Sequence, residues 1–399
     1  MARKPKRDLT VEEQLARGPL DLPFLMLTML LLGVGLIMMF SASFATAYYN
    51  DGDPLVYIKN QAVYAAAGVV VMFLVSKINY QTFRLLSVPG IVAAILLLVL
   101  ALSPLGVELN EVKRWVRIGP IQFQPSEVAK VAVILFFATR LSKRDTEKKK
   151  KWSRRTLTGR TLERLDRIGF LELVPYGAIL MVIALLMLME PHMSGTILVL
   201  AGGASVLFAA GISLGWFAAG GTLVAGAMWF TITQTPYMTA RINLWLDPWA
   251  QRQGDGFQTV QSLLAIGSGG LLGLGLGKSR QKFLYVPEPE NDFVFPIVAE
   301  ELGFIGAVVV LLLFSLLIMR GYWLALHARD KFGALTIVGI ITLLAVQVFL
   351  NVGVVTNLIP NTGISLPFFS YGGTALMIQL AEMGIVLSIS RQIPAPKND

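Results

Sequence analysis

The stretch LMLTMLLLGVGLIMMF, residues 25–40, holds no charged side chain and a single hydroxyl. With its flanks it stays apolar over residues 22–44, the length that carries a helix through a bilayer core. Similar runs recur as VPGIVAAILLLVLALSPL at 88–105, YGAILMVIALLMLM at 176–189 and IGAVVVLLLFSLLIM at 305–319. A water-soluble domain of 399 residues would not repeat them, and a closed barrel needs short alternating strands instead. The chain is therefore predicted to be an all-α polytopic membrane protein with about ten transmembrane helices. They are expected near 22–44, 57–76, 82–103, 126–142, 171–189, 194–212, 214–233, 292–319, 332–356 and 368–389.

Lysine and arginine orient these spans, because they concentrate in cytoplasmic segments. With both termini inside, residues 1–21, 77–84, 140–170, 320–331 and 390–399 hold 24 of the 34 lysines and arginines. The predicted organisation is a cytoplasmic tail (1–21), a transmembrane domain (22–390) and a short cytoplasmic tail (391–399). The polar lead and the long first apolar run argue against a cleavable signal peptide. The net charge of +9 lies largely in the loop 140–170, which reads as a topology anchor beside anionic lipid. No aromatic platform accompanies it, which argues against nucleic acid.

Two outer segments remain, 104–125 and 234–291, the second too long for a bare connector. Within it, GFQTVQSLLAIGSGGLLGLGLGKSRQ (256–281) is expected to form an interfacial helix and then a flexible glycine-rich segment. The glycines follow no strand, and no GxxxxGK[ST] loop exists, so a nucleotide site is not expected. There is no cysteine and there are only two histidines, which excludes thiolate chemistry and a histidine metal cluster. Chemistry must rest on carboxylates, cations, hydroxyls or an oxygen-bound metal.

Three outer stretches could carry it. In NEVKRWVRIGPIQFQPSEVAK (110–130), Arg114 and Trp115 precede a helix opened by Pro125. Glu127 and Lys130 then share one face at i and i+3, a neutralised pair or a head-group site at the lipid edge. In YVPEPENDFVFPIVAEELG (285–303), Glu288 and Glu290 read as solvated, and Asp292 as a first-turn anion whose pKa the helix dipole lowers. Glu300 and Glu301 lie deeper and need a partner from another span. In NVGVVTNLIPNTGISLPFFSYGGTAL (351–376), Asn, Gly and Pro interrupt a membrane-like run, which places Asn351, Asn357, Thr362 and Ser370 beside an outer cavity.

These stretches, with RINLWLDPWAQRQGDGFQTVQSLLAIGSGG and NTGISLPFFSYGG, resemble the SEDS family (shape, elongation, division and sporulation) over nearly all of residues 20–392. The resemblance leans to its FtsW branch, with RodA and SpoVE as near relatives. It implies a peptidoglycan glycosyltransferase of the bacterial cytoplasmic membrane, acting at the division septum. The implied substrate is lipid II, polymerised at the outer face, and the implied partners are a class B penicillin-binding protein and other division proteins. It places the catalytic carboxylate on Asp292, the substrate cavity on Gln124 to Lys130, including Glu127 and Lys130, and a family RW pair on Arg114 and Trp115.

On this reading Asp292 is the base for an inverting transfer, while Lys130, Arg114 and Lys282 contact the diphosphate or substrate. A dipole-lowered pKa would make Asp292 a weak base, a tension that burial or a nearby Glu127 would relieve. Alternatively Asp292 holds a divalent cation, magnesium or manganese, by its oxygens. The chain departs from the family pattern at Asn291, at Pro296 (which would cost a helix hydrogen bond) and at His192, where aspartate is usual. Two rival readings are a lipid II flippase and a non-catalytic division scaffold.

Overall fold

The computed structural model describes residues 18–109, 112–119, 121–144, 169–190, 192–234, 236–254 and 256–393. The distal parts of the expected tails and most of the basic loop 140–170 lie outside them. The chain opens with α1 (Leu22–Asp51), α2 (Val56–Lys77) and α3 (Gln81–Leu102). Strands β1 (Gly106–Leu109), β2 (Val112–Ile118) and β3 (Ile121–Phe123) precede α4 (Pro125–Ser142). Then come α5 (Phe170–Met189), α6 (Met193–Ala209), α7 (Leu214–Gln234), α8 (Pro236–Leu246) and α9 (Phe257–Ser268). The chain continues with α10 (Val294–His327), α11 (Lys331–Val355) and α12 (Gly373–Ser390). Among the described helices, α1, α2, α3, α5, α10, α11 and α12 are each long and apolar enough to cross a membrane. Helices α4, α6 and α7 lie where the remaining spans are expected.

Local rules explain the helix ends. Asp21 caps α1 by accepting from the Phe24 amide at 3.0 Å, and Gly52 closes it in the left-handed conformation. Helices α2 and α12 meet through small residues. A Cβ added at Gly384 would lie 2.6 Å from the Met72 carbonyl oxygen, so only glycine permits this approach. On the basic side of the helices, Asp21 pairs with Arg320 at 2.5 Å, and Gly18 donates to the Arg391 carbonyl at 2.7 Å. The two ends of the transmembrane domain are thus neighbours.

Segment 104–125, expected on the outer face, carries regular structure. It forms a three-stranded antiparallel sheet in the order β1-β2-β3, with Val107 opposite Trp115 and Val116 opposite Phe123. The alternation in VKRWVRI suits a pleated surface, and Gly119 makes the turn at φ 61°.

The decisive feature is a break in α10. Gly303 sits at φ 71°, ψ −173°, so the helix stops and restarts there. The freed backbone groups are taken up by the glycine-rich segment. Leu274 and Gly275 amides donate to the Glu300 and Glu301 carbonyls at 3.0 Å each, and Phe304 and Ile305 donate to Gly270 and Leu271. This segment is therefore a docked loop of turns and bends rather than the flexible run expected. Its glycines are required by contact, since a Cβ at Gly269 would lie 2.0 Å from the Ala299 carbonyl oxygen. Broken backbone at membrane depth is tolerated because protein satisfies it.

Gly303→Ala is expected to destabilise the fold by at least ~1–3 kcal/mol, from the left-handed φ and a Cβ 2.2 Å from the Gly273 nitrogen. Thermal melting in detergent checks this, and an unchanged midpoint would refute it. Pro296, by contrast, costs no helix hydrogen bond. Helix α10 begins at Val294, so Pro296 lies in the first turn, where amides have no helical acceptor.

Candidate functional site

Asp292 lies two residues before α10, outside the membrane-spanning segment, and is half-buried. Asn351 of α11 holds it in place, its side-chain amide donating to the Asp292 carbonyl at 2.8 Å and to the Ile364 carbonyl at 2.6 Å. This staple brings the 357–372 segment alongside. A Cβ at Gly363 would lie 3.5 Å from Asp292 Oδ2. Gln347 and Asn361 brace the same segment through Ser365 and Gln258.

The dipole does not decide the protonation of Asp292. Phe293, not Asp292, occupies the cap position of α10. The dipole effect fades within a turn, whereas removal from water acts directly on the charge. Burial pushes the Asp292 carboxyl up to about 6, with Glu288 adding to the rise.

Glu290 is not solvated, contrary to the sequence expectation. It is 3% exposed, and its Oε2 has no hydrogen-bond partner. Tyr371 donates its amide to the Glu290 carbonyl at 2.7 Å, which joins this loop to the SYGG turn. Burial pushes its carboxyl up to about 7. Glu288 remains exposed and accepts from the Asn291 side chain at 3.0 Å.

Glu300 and Glu301 find partners, as their depth demanded. Glu301 accepts from Ser41 of α1 at 2.7 Å, from the Gly277 amide at 2.8 Å and from Lys282 at 3.0 Å. Glu300 accepts from the Ser279 hydroxyl and from the Arg280 amide. Successive amides of the loop thus cradle two buried carboxylates. Lys282, expected to touch the diphosphate, is 3% exposed and donates to Glu301, Ser41 and the Gly277 carbonyl. Its ammonium is occupied inside the protein, so the structure places it in the loop's foundation.

A second cluster forms where α4, β2, α12 and the α5–α6 junction meet. Lys130 and Glu127 pair at 2.7 Å, with side chains 3% and 12% exposed, as the i, i+3 spacing requires. Buried Glu382 of α12 lies within their electrostatic reach. Arg114 of β2 donates to the Glu190 carbonyl at 3.0 Å, and Gln124 lies 3.4 Å from the His192 ring. Burial, then Arg114 and Lys130, pulls His192 down to about 3, and burial pushes Glu190 up to about 8. Trp115 is half-buried on β2, adjacent to Arg114 and on the opposite face of the strand. Ser370 is buried, and its hydroxyl accepts from the Leu366 amide at 2.7 Å, shaping the turn beside a small cavity lined by Ser365, Tyr371 and Gln379.

Sequence reasoning overlooked Glu190 and Glu382 and read Glu290 as solvated. A carboxylate inside or beside an apolar run was the available signal for each. As for a divalent cation, no group of three or more His, Cys, Asp or Glu among the described residues is arranged to hold a metal.

Fold and site together define a polytopic membrane protein with carboxylates gathered beside a broken helix. The chain belongs to the FtsW/RodA/SpoVE family, described as cell cycle proteins, which it matches over residues 22–394. It is 42% identical to stage V sporulation protein E of Bacillus subtilis, over 93% of this chain and 97% of that one. It is 37% identical to the probable peptidoglycan glycosyltransferase FtsW of Geobacter metallireducens, over 94% of this chain and 95% of that one. Among solved structures it resembles the Thermus thermophilus rod shape determining protein RodA, at TM-score 0.65 and 28% identity, covering 94% of this chain and 98% of that one. It also resembles a chain from a study of polymerization and crosslinking by a peptidoglycan synthase complex, at TM-score 0.74 and 28% identity, covering 95% and 99% respectively.

Proposed function

We propose that this chain is a peptidoglycan glycosyltransferase that polymerises lipid II at the outer face of the bacterial cytoplasmic membrane during division. The observation that carries this reading is Asp292. Its carboxyl is held up to about 6 by burial, and its backbone carbonyl is stapled by Asn351 beside the interrupted 357–372 segment. A general base works best with a pKa near the operating pH, and burial removes the weakness that a dipole-lowered carboxylate would have had.

In the proposed step the acceptor sugar hydroxyl attacks the anomeric carbon of the donor. The carbon–oxygen bond to the lipid diphosphate breaks with inversion, and the hydroxyl proton passes to Asp292. The diphosphate departs with its bonding electrons and calls for cations rather than a general acid. Arg114 and Lys130 are assigned to that work, with Glu127 orienting Lys130 through the 2.7 Å pair. Trp115 and Ser370 shape the substrate cavity. Lys282 acts indirectly, by fixing the loop that leads to Asp292.

A class B penicillin-binding protein is the proposed partner, in keeping with the likeness to a synthase-complex chain. Together with other division proteins it would place the enzyme at the septum.

Purified protein with its penicillin-binding partner and lipid II is expected to yield glycan polymer. Lys130→Met is expected to reduce polymerisation by at least ~10-fold through loss of a charge-assisted contact. The break in α10 also favours a second reading, since broken helices line transporter sites. Lipid II crossing vesicle bilayers without polymer forming would establish the flippase and overturn the polymerase.

A further inference from the structure

Residues 256–277 carry no charged side chain and are bracketed by Asp255 and Lys278. They form α9 and the glycine-rich loop that docks across the break in α10. That loop keeps large apolar side chains on its outside. Leu271, Leu272 and Leu276 are 70%, 81% and 57% exposed. A leucine cluster left in water is unfavourable, so the depth of the loop decides what surrounds it.

Two helices measure that depth. Arg320 of α10, paired with Asp21, marks the basic side. The helical stretch from Gly303 to Arg320 is about 25 Å long, which leaves Gly303 inside a hydrocarbon core about 30 Å thick. The Phe304 and Ile305 amides donate to the Gly270 and Leu271 carbonyls, so the leucines share this height. The middle of α9 stands higher. Ser262 donates to the carbonyl of Val355, the last residue of α11, at 2.7 Å. The rise from Lys331 to Val355 is about 36 Å, beyond the core. Helix α9 thus descends from head-group level, and the loop after it lies lower.

Irregular backbone is excluded from lipid unless protein satisfies its polar groups. Here α10 does so. Beyond the two carbonyls just named, the Leu274 and Gly275 amides donate to the Glu300 and Glu301 carbonyls, and the Gly273 amide donates to the Gly269 carbonyl at 2.9 Å. Apolar side chains are left facing outward. They adjoin exposed Phe304 and Ile305, and Ile305 heads an exposed stripe of α10 that continues through Val309, Leu312 and Leu316. Exposed Lys278 and Arg280 follow the loop, where they can reach lipid phosphates.

We propose that residues 269–276 form a re-entrant anchor, with Leu271, Leu272 and Leu276 inserted among the acyl chains of the outer leaflet. The other side of the same loop cradles Glu300 and Glu301. Bulk lipid is the occupant, because the leucines lie below head-group level and extend a lipid-facing stripe. The anchor does not depend on the glycosyltransferase reading, and its test needs no turnover.

The chain has no cysteine, so single nitroxide labels can be placed without removing any. The full chain in nanodiscs of phosphatidylethanolamine and phosphatidylglycerol would carry Leu272→Cys, Leu276→Cys, Leu312→Cys or Gln253→Cys, one at a time. Leu312 faces outward in mid-α10, and Gln253 is exposed in the outer loop. Molecular oxygen concentrates in hydrocarbon and a neutral nickel chelate in water. The oxygen-to-nickel collision ratio at positions 272 and 276 should exceed that at 253 by about tenfold or more, and come within about threefold of that at 312. It should persist with the penicillin-binding partner bound. A ratio at either loop position matching that at 253 would place the loop in water and overturn the anchor. Shielding from both probes on addition of the partner would make the patch a protein interface and overturn it too.

Discussion

Asp292→Asn is expected to lower polymerisation by about 10²–10⁴-fold, the range of a lost general base. The variant should fold as well as wild type or better. Burial holds the native Asp292 carboxyl at about 6, above its ordinary 3.8. A carboxyl raised in the folded state binds its proton more tightly there than in the unfolded chain. The native state therefore loses stability as pH rises between those two values, and asparagine removes that loss. Sites that strain a charge in this manner trade stability for activity.

The same level sets the pH dependence. The base must be deprotonated, so wild-type turnover should rise through pH 6 and flatten above about pH 7. Measuring kcat against pH from 5 to 8, alongside melting curves for both forms, checks each statement. Full activity in Asp292→Asn would remove Asp292 as base and direct attention to Glu127.

Lys282→Met is expected to cost about 3–5 kcal/mol, because it strands a buried anion. Glu301 is fully enclosed, its pair with Lys282 measures 3.0 Å, and Ser41 binds both partners. Without the ammonium, three further donors face Glu301 but no counter-charge does. The double variant Lys282→Met/Glu301→Gln should recover much of the loss, since both charges are then gone. The readouts are chemical denaturation in detergent and proteolysis of the 269–282 loop. A single variant as stable as wild type would show that water reaches Glu301 and that the loop's foundation lies elsewhere.

The charged residues of this chain were unequally legible. Glu127 and Lys130 pair as their spacing predicts, because i, i+3 contact is local to one helix. The need of Glu300 and Glu301 for outside partners was equally plain, because deep carboxylates are costly in lipid. Which partners they take was not. Ser41 is 260 residues from Glu301 in the chain, a distance no local pattern spans. Lys282 looked like a substrate cation until the fold occupied it. Glu290 looked solvated beside Pro289, but the fold buries it where Tyr371 arrives from the far end of the chain and α1 brings Thr46 to its carboxyl.

The amino-acid sequence by itself determined the polytopic helical architecture, while Asp292 as candidate base came from the family resemblance. Apolar length, charge asymmetry and helical spacing are properties of short windows, and the bilayer filters them strongly. The tertiary structure alone decided three things: the sheet at 106–123, the loop docked across Gly303 and the raised carboxyl of Asp292. Each depends on which distant segments exclude water from a backbone or a charge. Removal from water is a property of the assembled fold.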